Sequence, residues 1–382
     1  MCLSQCSIFR TSCDSLTTSP YLSVLLSLTM GLFDVNAKIQ VDKADHLVVE
    51  RAFNRIRDLS KCSQEDPGLS AVSDWLDRVL MYNIPHGKRW RLLQVVQAFE
   101  TFSSEPVSER DLENAAILGW TIEIFQAFYL IIDDIMDKSI TRRGSPCWYL
   151  VDEVGMMAIN DALLLETIIF QVLKQVFRDH PSYLDIVELL HEVHYQTVRG
   201  QCLDVLSERK RVYGEERYNT IVLYKTCFYT FSVPIRLGMY LAKITSSQLH
   251  RKVEKLAVKI GNIFQVQDDF LDCYGDPAKL GKVGTDIVDA KCSWLLVKAL
   301  QIATPQQREE IFNNIGRGKP AGEEEATVRS IYHKLGLEEL FRTYEESSFE
   351  EIRKDIATLD SDGEINTDIF KLTVNKLYRR QK

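Results

Sequence analysis

The chain has 382 residues, 45% of them hydrophobic and 26% charged, with a formal net charge of −8. That length holds one large domain or two ordinary ones, and the balance is that of a globular protein rather than a disordered or fibrous one. The acidic charge excludes a general nucleic-acid binder, and it admits a diphosphate ligand only where metals and local basic residues reverse the field.

The first forty residues differ from the rest. Residues 1–20 are rich in Ser, Thr and Cys, with one Arg (Arg10) and one acid (Asp14), and residues 21–33 are mostly apolar. That apolar run is too short to span a bilayer. The expectation is an unstructured leader over residues 1–40 and a single domain over 41–382. A cytoplasmic location is expected, with mitochondrial import through the leader as the alternative. Nine cysteines are scattered with no CxxC pair or zinc spacing, so they read as free thiols in a reducing compartment.

Beyond the leader, apolar residues recur at three- and four-residue spacing over 45–60, 88–104, 111–138, 157–179, 184–207, 215–243, 248–273 and 323–358. This spacing predicts helices. Turn signals separate them at Pro85-His86-Gly87, Gly144-Ser145-Pro146, His180-Pro181 and Gly275-Asp276-Pro277. No hairpin signature, repeat or dividing linker stands out, so the reading is one all-α domain with no transmembrane segment. Several helices are apolar nearly all round, as central members of a bundle are.

Two of these helices end in the same acidic pattern: Asp133-Asp134-Ile135-Met136-Asp137 and Asp268-Asp269-Phe270-Leu271-Asp272. Carboxylates four apart share a helix face. At that distance they repel and raise each other's pKa unless a cation lies between them. One such quintet could be a solvated face, but solvated faces do not follow an uncharged stretch such as residues 124–132. The repetition points to hard divalent ions, and Mg²⁺ prefers carboxylates, waters and phosphates.

Basic residues cluster at four places: Lys88, Arg89 and Arg91; Arg142-Arg143; Lys225; and Lys282 in a glycine-containing loop. That loop lacks the GxxxxGK[ST] pattern and follows a helix, so it is no Walker motif. Together with the paired carboxylates these clusters supply what two diphosphates need: metals for one, Arg and Lys for the other. At about 100° per residue, Gln126, Tyr129, Asp133 and Asp137 share a stripe, as do Gln265, Asp268 and Asp272. The two glutamines would place neutral dipoles beside a developing cation, or cap buried hydrogen bonds. His191 and His194 lie three apart and read as a polar helix face rather than a metal pair.

Residues 125–149, 221–231 and 264–295 resemble the trans-prenyltransferase family, and within it the animal farnesyl diphosphate synthases; the likeness runs from about residue 45 to the C-terminus. The resemblance implies an isoprenoid synthase-type helical bundle around a deep central cavity, usually in a homodimer. It implies head-to-tail condensation of dimethylallyl and then geranyl diphosphate with isopentenyl diphosphate, using three Mg²⁺ ions or Mn²⁺ in their place. Carried over by position, Asp133, Asp137 and Asp268 would bind metal, supported by Asp134, Asp269 and Asp272, and Asp204 would hold metal-bound water. Arg142, Lys225 and Lys282 would hold the allylic diphosphate; Lys88, Arg91, Arg143, Gln126 and Arg380 would hold isopentenyl diphosphate. Thr226 and Gln265 would face the cation.

Phe128 and Tyr129 would form the floor that stops elongation at C15. By helical phase alone Tyr129 lies within about 40° of Asp133, and Phe128 about 140° away. The family's usual Gly-Gly-Lys is His86-Gly87-Lys88 here, and Trp90 stands for a smaller polar residue. Competing readings are a terpene cyclase, a geranylgeranyl synthase and a non-catalytic regulatory subunit. The retention of both aspartate motifs and the basic set weighs against the first and the last.

Overall fold

The computed structural model describes residues 35–61, 67–277 and 283–380. Most of the leader, and Lys282, fall outside the described residues. The chain divides into residues 1–47, described only as helical backbone from Val35, and residues 48–382.

The larger unit is built from helices α1 (Val35–Leu59, from Val48 onward), α2 (Ser70–Asn83), α3 (Trp90–Phe102) and α4 (Glu109–Met136), followed by α5 (Ala158–Phe177) and α6 (Tyr183–Lys210). A continuous helical run comes next, made of α7 (Glu215–Ile221), a π-helical segment (Val222–Ser232) and α8 (Val233–Leu241). Then come α9 (Ser247–Tyr274), α10 (Trp294–Ile302), α11 (Pro305–Asn314), α12 (Glu323–Lys334), α13 (Leu337–Asp362) and α14 (Asp368–Leu377).

The helix carrying the first acidic motif starts where its sequence says it should. Ser108 accepts from the backbone N–H of Asp111, whose carboxylate reaches back to the Ser108 N–H, forming a capping box. From there α4 is buried on nearly every side: Ile117, Leu118, Trp120 and Ile124 are at most 1% exposed. Each such side chain contributes roughly 1.5–3 kcal/mol by leaving water. By length and apolarity α4 could cross a membrane, but its apolar window is 72% buried within the bundle. The stretch Gly155–Phe177 passes the same length test with its window 44% buried.

The run from Glu215 to Leu241 is central. Its π segment packs on α6 and α9, and α8 packs on α3. Cys227, Phe231, Ile235 and Met239 enter one apolar cluster, while Val233, Leu237 and Leu241 enter the other. The sequence predicts one plain helix over 215–243; the path is continuous but widens into π turns before Pro234. Proline has no N–H, and its ring crowds the carbonyl four residues back, so the regular i→i−4 ladder cannot run through.

Other differences have equally local causes. The segment predicted as one helix over 323–358 breaks at Gly336, which takes the left-handed conformation (φ +67°). Helices α10, α11 and α14, of ten residues or fewer, are too short to show a clear stripe, and α2 (Ser70–Asn83) is also absent from the periodicity reading. Residues 141–146 form a two-stranded hairpin, Thr141 pairing with Pro146 and Arg142 with Ser145. Its two-residue loop has positive φ at both Arg143 (+54°) and Gly144 (+79°), the pattern of a type I′ turn. Without Asn-Gly or Asp-Gly at the turn, the hairpin escapes recognition from sequence.

Candidate active site

The first acidic motif closes α4, and helix phase divides its carboxylates. Asp134 points inward, 3% exposed, and pairs with Arg142, whose Nε lies 3.1 Å from Oδ1. The hairpin turn aims Arg142 at this pair. Arg143, on the turn itself, donates to the Asn83 carbonyl at 3.1 Å and lies against Gly87, where a Cβ would meet the guanidinium at 2.9 Å. Gly87 thereby brings the turn before α3 close to the hairpin.

Asp133 and Asp137 lie on the other face of α4, both partly exposed. Asp133 accepts from Gln201 Nε2 at 2.7 Å and stands 3.7 Å from Lys225 Nζ. Asp137 accepts from Lys291 Nζ at 3.2 Å through both oxygens. Burial and the neighbouring Asp133 push the Asp137 carboxyl above its ordinary value, with Lys291 pulling the other way.

Asp204, on α6, is 6% exposed and accepts from Lys225 Nζ at 2.6 Å, with Lys291 Nζ at 3.9 Å. Burial alone would raise its pKa, but the two lysines outweigh it and hold it below the usual carboxylate range. Lys291 also reaches Glu208 at 3.2 Å. Burial works against the charge on Lys225 and Lys291, yet the surrounding carboxylates keep both pKa values raised. Lys225 can come this close because Gly200 of α6 touches its backbone: a Cβ there would lie 2.3 Å from the Lys225 nitrogen.

The next residue carries the connection to the second motif. Thr226 donates to Gln265 Oε1 at 2.9 Å, and Gln265 Nε2 donates to Asp269 Oδ1 at 2.9 Å. Asp269 is 6% exposed, and its other oxygen accepts from the Trp294 backbone N–H at 2.8 Å, tying α9 to the start of α10. Burial raises its pKa, against the hydrogen bonds it accepts. Asp268 and Asp272 are partly exposed. Asp268 pairs with Arg380 of the C-terminal tail, and Asp272 accepts from the Asp286 backbone N–H at 3.0 Å. The Arg380 guanidinium also covers the Phe264 ring at 4.2 Å.

A third group joins α3 to the π segment. Arg91 donates to the Tyr229 hydroxyl at 3.0 Å and to Thr230 at 2.9 Å, and lies over the Tyr229 ring at 4.6 Å. Tyr229 in turn donates to Gln126 at 2.7 Å. Lys88 is exposed in the turn ahead of α3. A cavity of roughly 200 Å³ opens between His86, Asn83, Asp134, Arg142 and Arg143.

One turn above Asp133, Phe128 and Tyr129 meet edge to face with ring centroids 5.1 Å apart. His194 contacts both, so the two aromatics share one cluster despite the phase difference along the helix. His194 is therefore no solvated helix face, and His191 stacks on Phe170 at 4.0 Å.

Lys291, Gln201 and Glu208 belong to the carboxylate cluster without having been singled out in the sequence. Lys291 lies inside a stretch that carries the family resemblance, between two helices. No periodicity there shows which way it points.

The sequence pattern of the polyprenyl synthetase family matches residues 73–335. The curated farnesyl pyrophosphate synthase of Gallus gallus is 41% identical over 367 residues, spanning 91% of this chain and 98% of that protein. The Mus musculus protein of the same name is 44% identical over 313 residues, spanning 80% of this chain and 88% of that one. Among solved structures, T. brucei farnesyl diphosphate synthase complexed with risedronate superposes with a TM-score of 0.80 at 33% identity, covering 88% of this chain and 100% of that one.

Proposed function

The chain belongs to the polyprenyl synthetase family, and from that premise we propose that it carries out the farnesyl diphosphate synthase reaction. C1 of dimethylallyl diphosphate, then of geranyl diphosphate, bonds to C4 of isopentenyl diphosphate. Diphosphate and a proton leave at each round, and elongation stops at C15. The observation that carries this reading is the Lys225–Thr226 step. It links the first aspartate ladder, through Asp133 and Asp204, to the second, through Gln265 and Asp269.

The donor set fits Mg²⁺, or Mn²⁺ in its place. Asp133, Asp137 and Asp268 offer oxygen only, and each faces an ammonium or guanidinium of the chain, so each stands where positive charge is wanted. Among the described residues no group of three or more His, Cys, Asp or Glu side chains converges on one point. These three residues would hold three ions, with Asp272 and the Lys225-bound Asp204 orienting bound water. Asp134 and Asp269 act as braces, since their oxygens are engaged by Arg142 and by Gln265 and Trp294. When bound, the metals draw negative charge from the leaving diphosphate.

The chain's own residues do the rest. Arg142, Lys225 and Lys291 offer positive charge to the allylic diphosphate, with Lys282 proposed for the same task. Lys88, Arg91, Arg143, Gln126 and Arg380 bind the isopentenyl diphosphate. Thr226 and Gln265 turn fixed neutral dipoles toward the carbon that becomes electron-poor, at no reorganisation cost during reaction. Phe128 and Tyr129 block the tail, because a prenyl unit cannot enter a packed aromatic wall without overpacking it. The exposed apolar side chains Met156, Met157, Ile159 and Leu163, with Leu184 and Val198, support a homodimer.

The test is direct: purified chain, Mg²⁺, dimethylallyl and isopentenyl diphosphates, and chromatography of the dephosphorylated products. Farnesol as the end product supports the reading. Geranylgeraniol as the main product, a cyclic hydrocarbon or no turnover refutes it.

A further inference from the structure

Tyr129 sits four residues before Asp133, about 6 Å along the axis of α4. Its hydroxyl lies 3.0 Å from Nδ1 of His194 on α6. The imidazole stacks on Phe125 with centroids 5.2 Å apart and planes at 26°, and on Tyr129 at 5.9 Å and 23°. It meets Phe128 at 5.4 Å in a tilted contact. Its other nitrogen, Nε2, faces Glu166 of α5 at 4.0 Å. With the Nε2 proton turned to that carboxylate, Nδ1 is the acceptor and the tyrosine hydroxyl the donor.

The Tyr129 ring is thus fixed at both ends, by its own Cα on α4 and by His194 on α6. A side chain held only at Cα moves between staggered wells. One that must also break a partly buried hydrogen bond to move is more firmly held. Burial keeps His194 neutral by lowering its pKa, with Glu166 acting in the opposite direction. A neutral imidazole retains the lone pair that Tyr129 uses.

We propose that His194 is a specificity-determining positioning residue: it holds Tyr129 across the path of the growing prenyl chain and completes the aromatic stop with Phe125 and Phe128. Product length then depends on the Tyr129–His194 pair and not only on the bulk of the α4 aromatics. This rests on the reading of Phe128 and Tyr129 as the chain-length floor.

The experiment compares wild type with His194→Ala, Tyr129→Phe and the double variant, all with dimethylallyl and isopentenyl diphosphates. The readouts are the C20:C15 product ratio, kcat/KM for isopentenyl diphosphate and the melting temperature. Each single change is expected to raise the C20:C15 ratio at least tenfold. The double variant rises no further than the larger single effect, because both changes break one contact. A folded His194→Ala enzyme with its ratio unchanged within twofold overturns the proposal. Tyr129→Phe removes one oxygen and carries the test if His194→Ala does not fold; an unchanged ratio there overturns it equally. A Phe128→Ala/Tyr129→Ala control separates the two levels. If the control releases C20 while His194→Ala does not, the inference falls and the floor stands. If neither releases C20, the floor itself is misplaced.

Discussion

Replacing Lys291 by Met tests what the fold does with its own carboxylates. Met keeps the apolar stem and removes the charge. Lys291 Nζ lies 3.2 Å from Asp137 and from Glu208 and 3.9 Å from Asp204, and its side chain is 14% exposed. At an effective dielectric near 20, each contact at that shorter distance is worth about 5 kcal/mol of gross attraction. Desolvation of the ammonium returns several kcal/mol of this, yet removing one partner of such a cluster costs about 3–5 kcal/mol, because the remaining charges are left unpaired. Glu208 is 32% exposed, so the lower end applies: a loss of about 3 kcal/mol, a drop of several degrees in Tm. The loss should be largest without metal, in EDTA. Mg²⁺ with inorganic diphosphate supplies the missing positive charge and should reduce the deficit to below about 1 kcal/mol by ligand linkage. Burial lowers the Lys291 pKa, but Asp204, Asp137 and Glu208 more than offset it, so the net shift is upward. A raised lysine contributes its stability fully below its unfolded value of 10.5 and loses it only as pH rises through the higher folded value. The difference between variant and wild type should therefore be flat from about pH 6 to 9. Scanning fluorimetry in EDTA and in Mg²⁺–diphosphate measures both arms. An equal loss in the two buffers, or none in EDTA, refutes the argument.

Three further outcomes are expected. Asp133→Ala and Asp268→Ala should each lower kcat by at least about a hundredfold without unfolding the protein; a variant retaining more than about a tenth of wild-type kcat is no metal ligand. Deleting residues 378–382 removes the Arg380 contacts with Asp268 and Phe264, and should raise KM for isopentenyl diphosphate about fivefold or more while lowering kcat. If only Tm falls, the tail is structural. His180, His194 and His250 are all held below their ordinary pKa of 6.5 by burial. The unfolded chain therefore takes up protons first, and stability is lost as pH falls below 6.5, by up to about 1.4 kcal/mol per unit for each histidine. His250 donates from Nε2 to the Ile244 carbonyl at 2.8 Å, and His250→Gln should reduce that slope in melts between pH 7 and 5.5; an unaltered slope counts against it.

Helix phase alone separates Asp133 and Asp137 from Asp134, and the structure follows it: the first two stay partly exposed while Asp134 turns inward to Arg142. The same arithmetic misleads at Phe128. Phase places it well away from Tyr129, but both side chains are long, and a ring can bend back to the same neighbour. His194 receives both, and its position depends on how α6 packs against α4, which a single stripe of residues does not encode. Gly200 is a similar case. Its value lies in a backbone contact with Lys225 from a different helix, and nothing near it in sequence marks the contact.

The aspartate ladders need a cation, and that inference holds from sequence alone because like charges four residues apart repel. Beside the divalent ions that the motifs call for, the fold brings its own cations to the same carboxylates: Lys225 between Asp133 and Asp204, Lys291 between Asp137 and Glu208, and Arg380 on Asp268. These groups come from the π segment, an interhelical loop and the last turn of the chain, so their convergence is a property of the bundle and not of any motif. Their presence offsets part of the repulsion among the carboxylates. It also means that positive charge is already aimed where a diphosphate would bind.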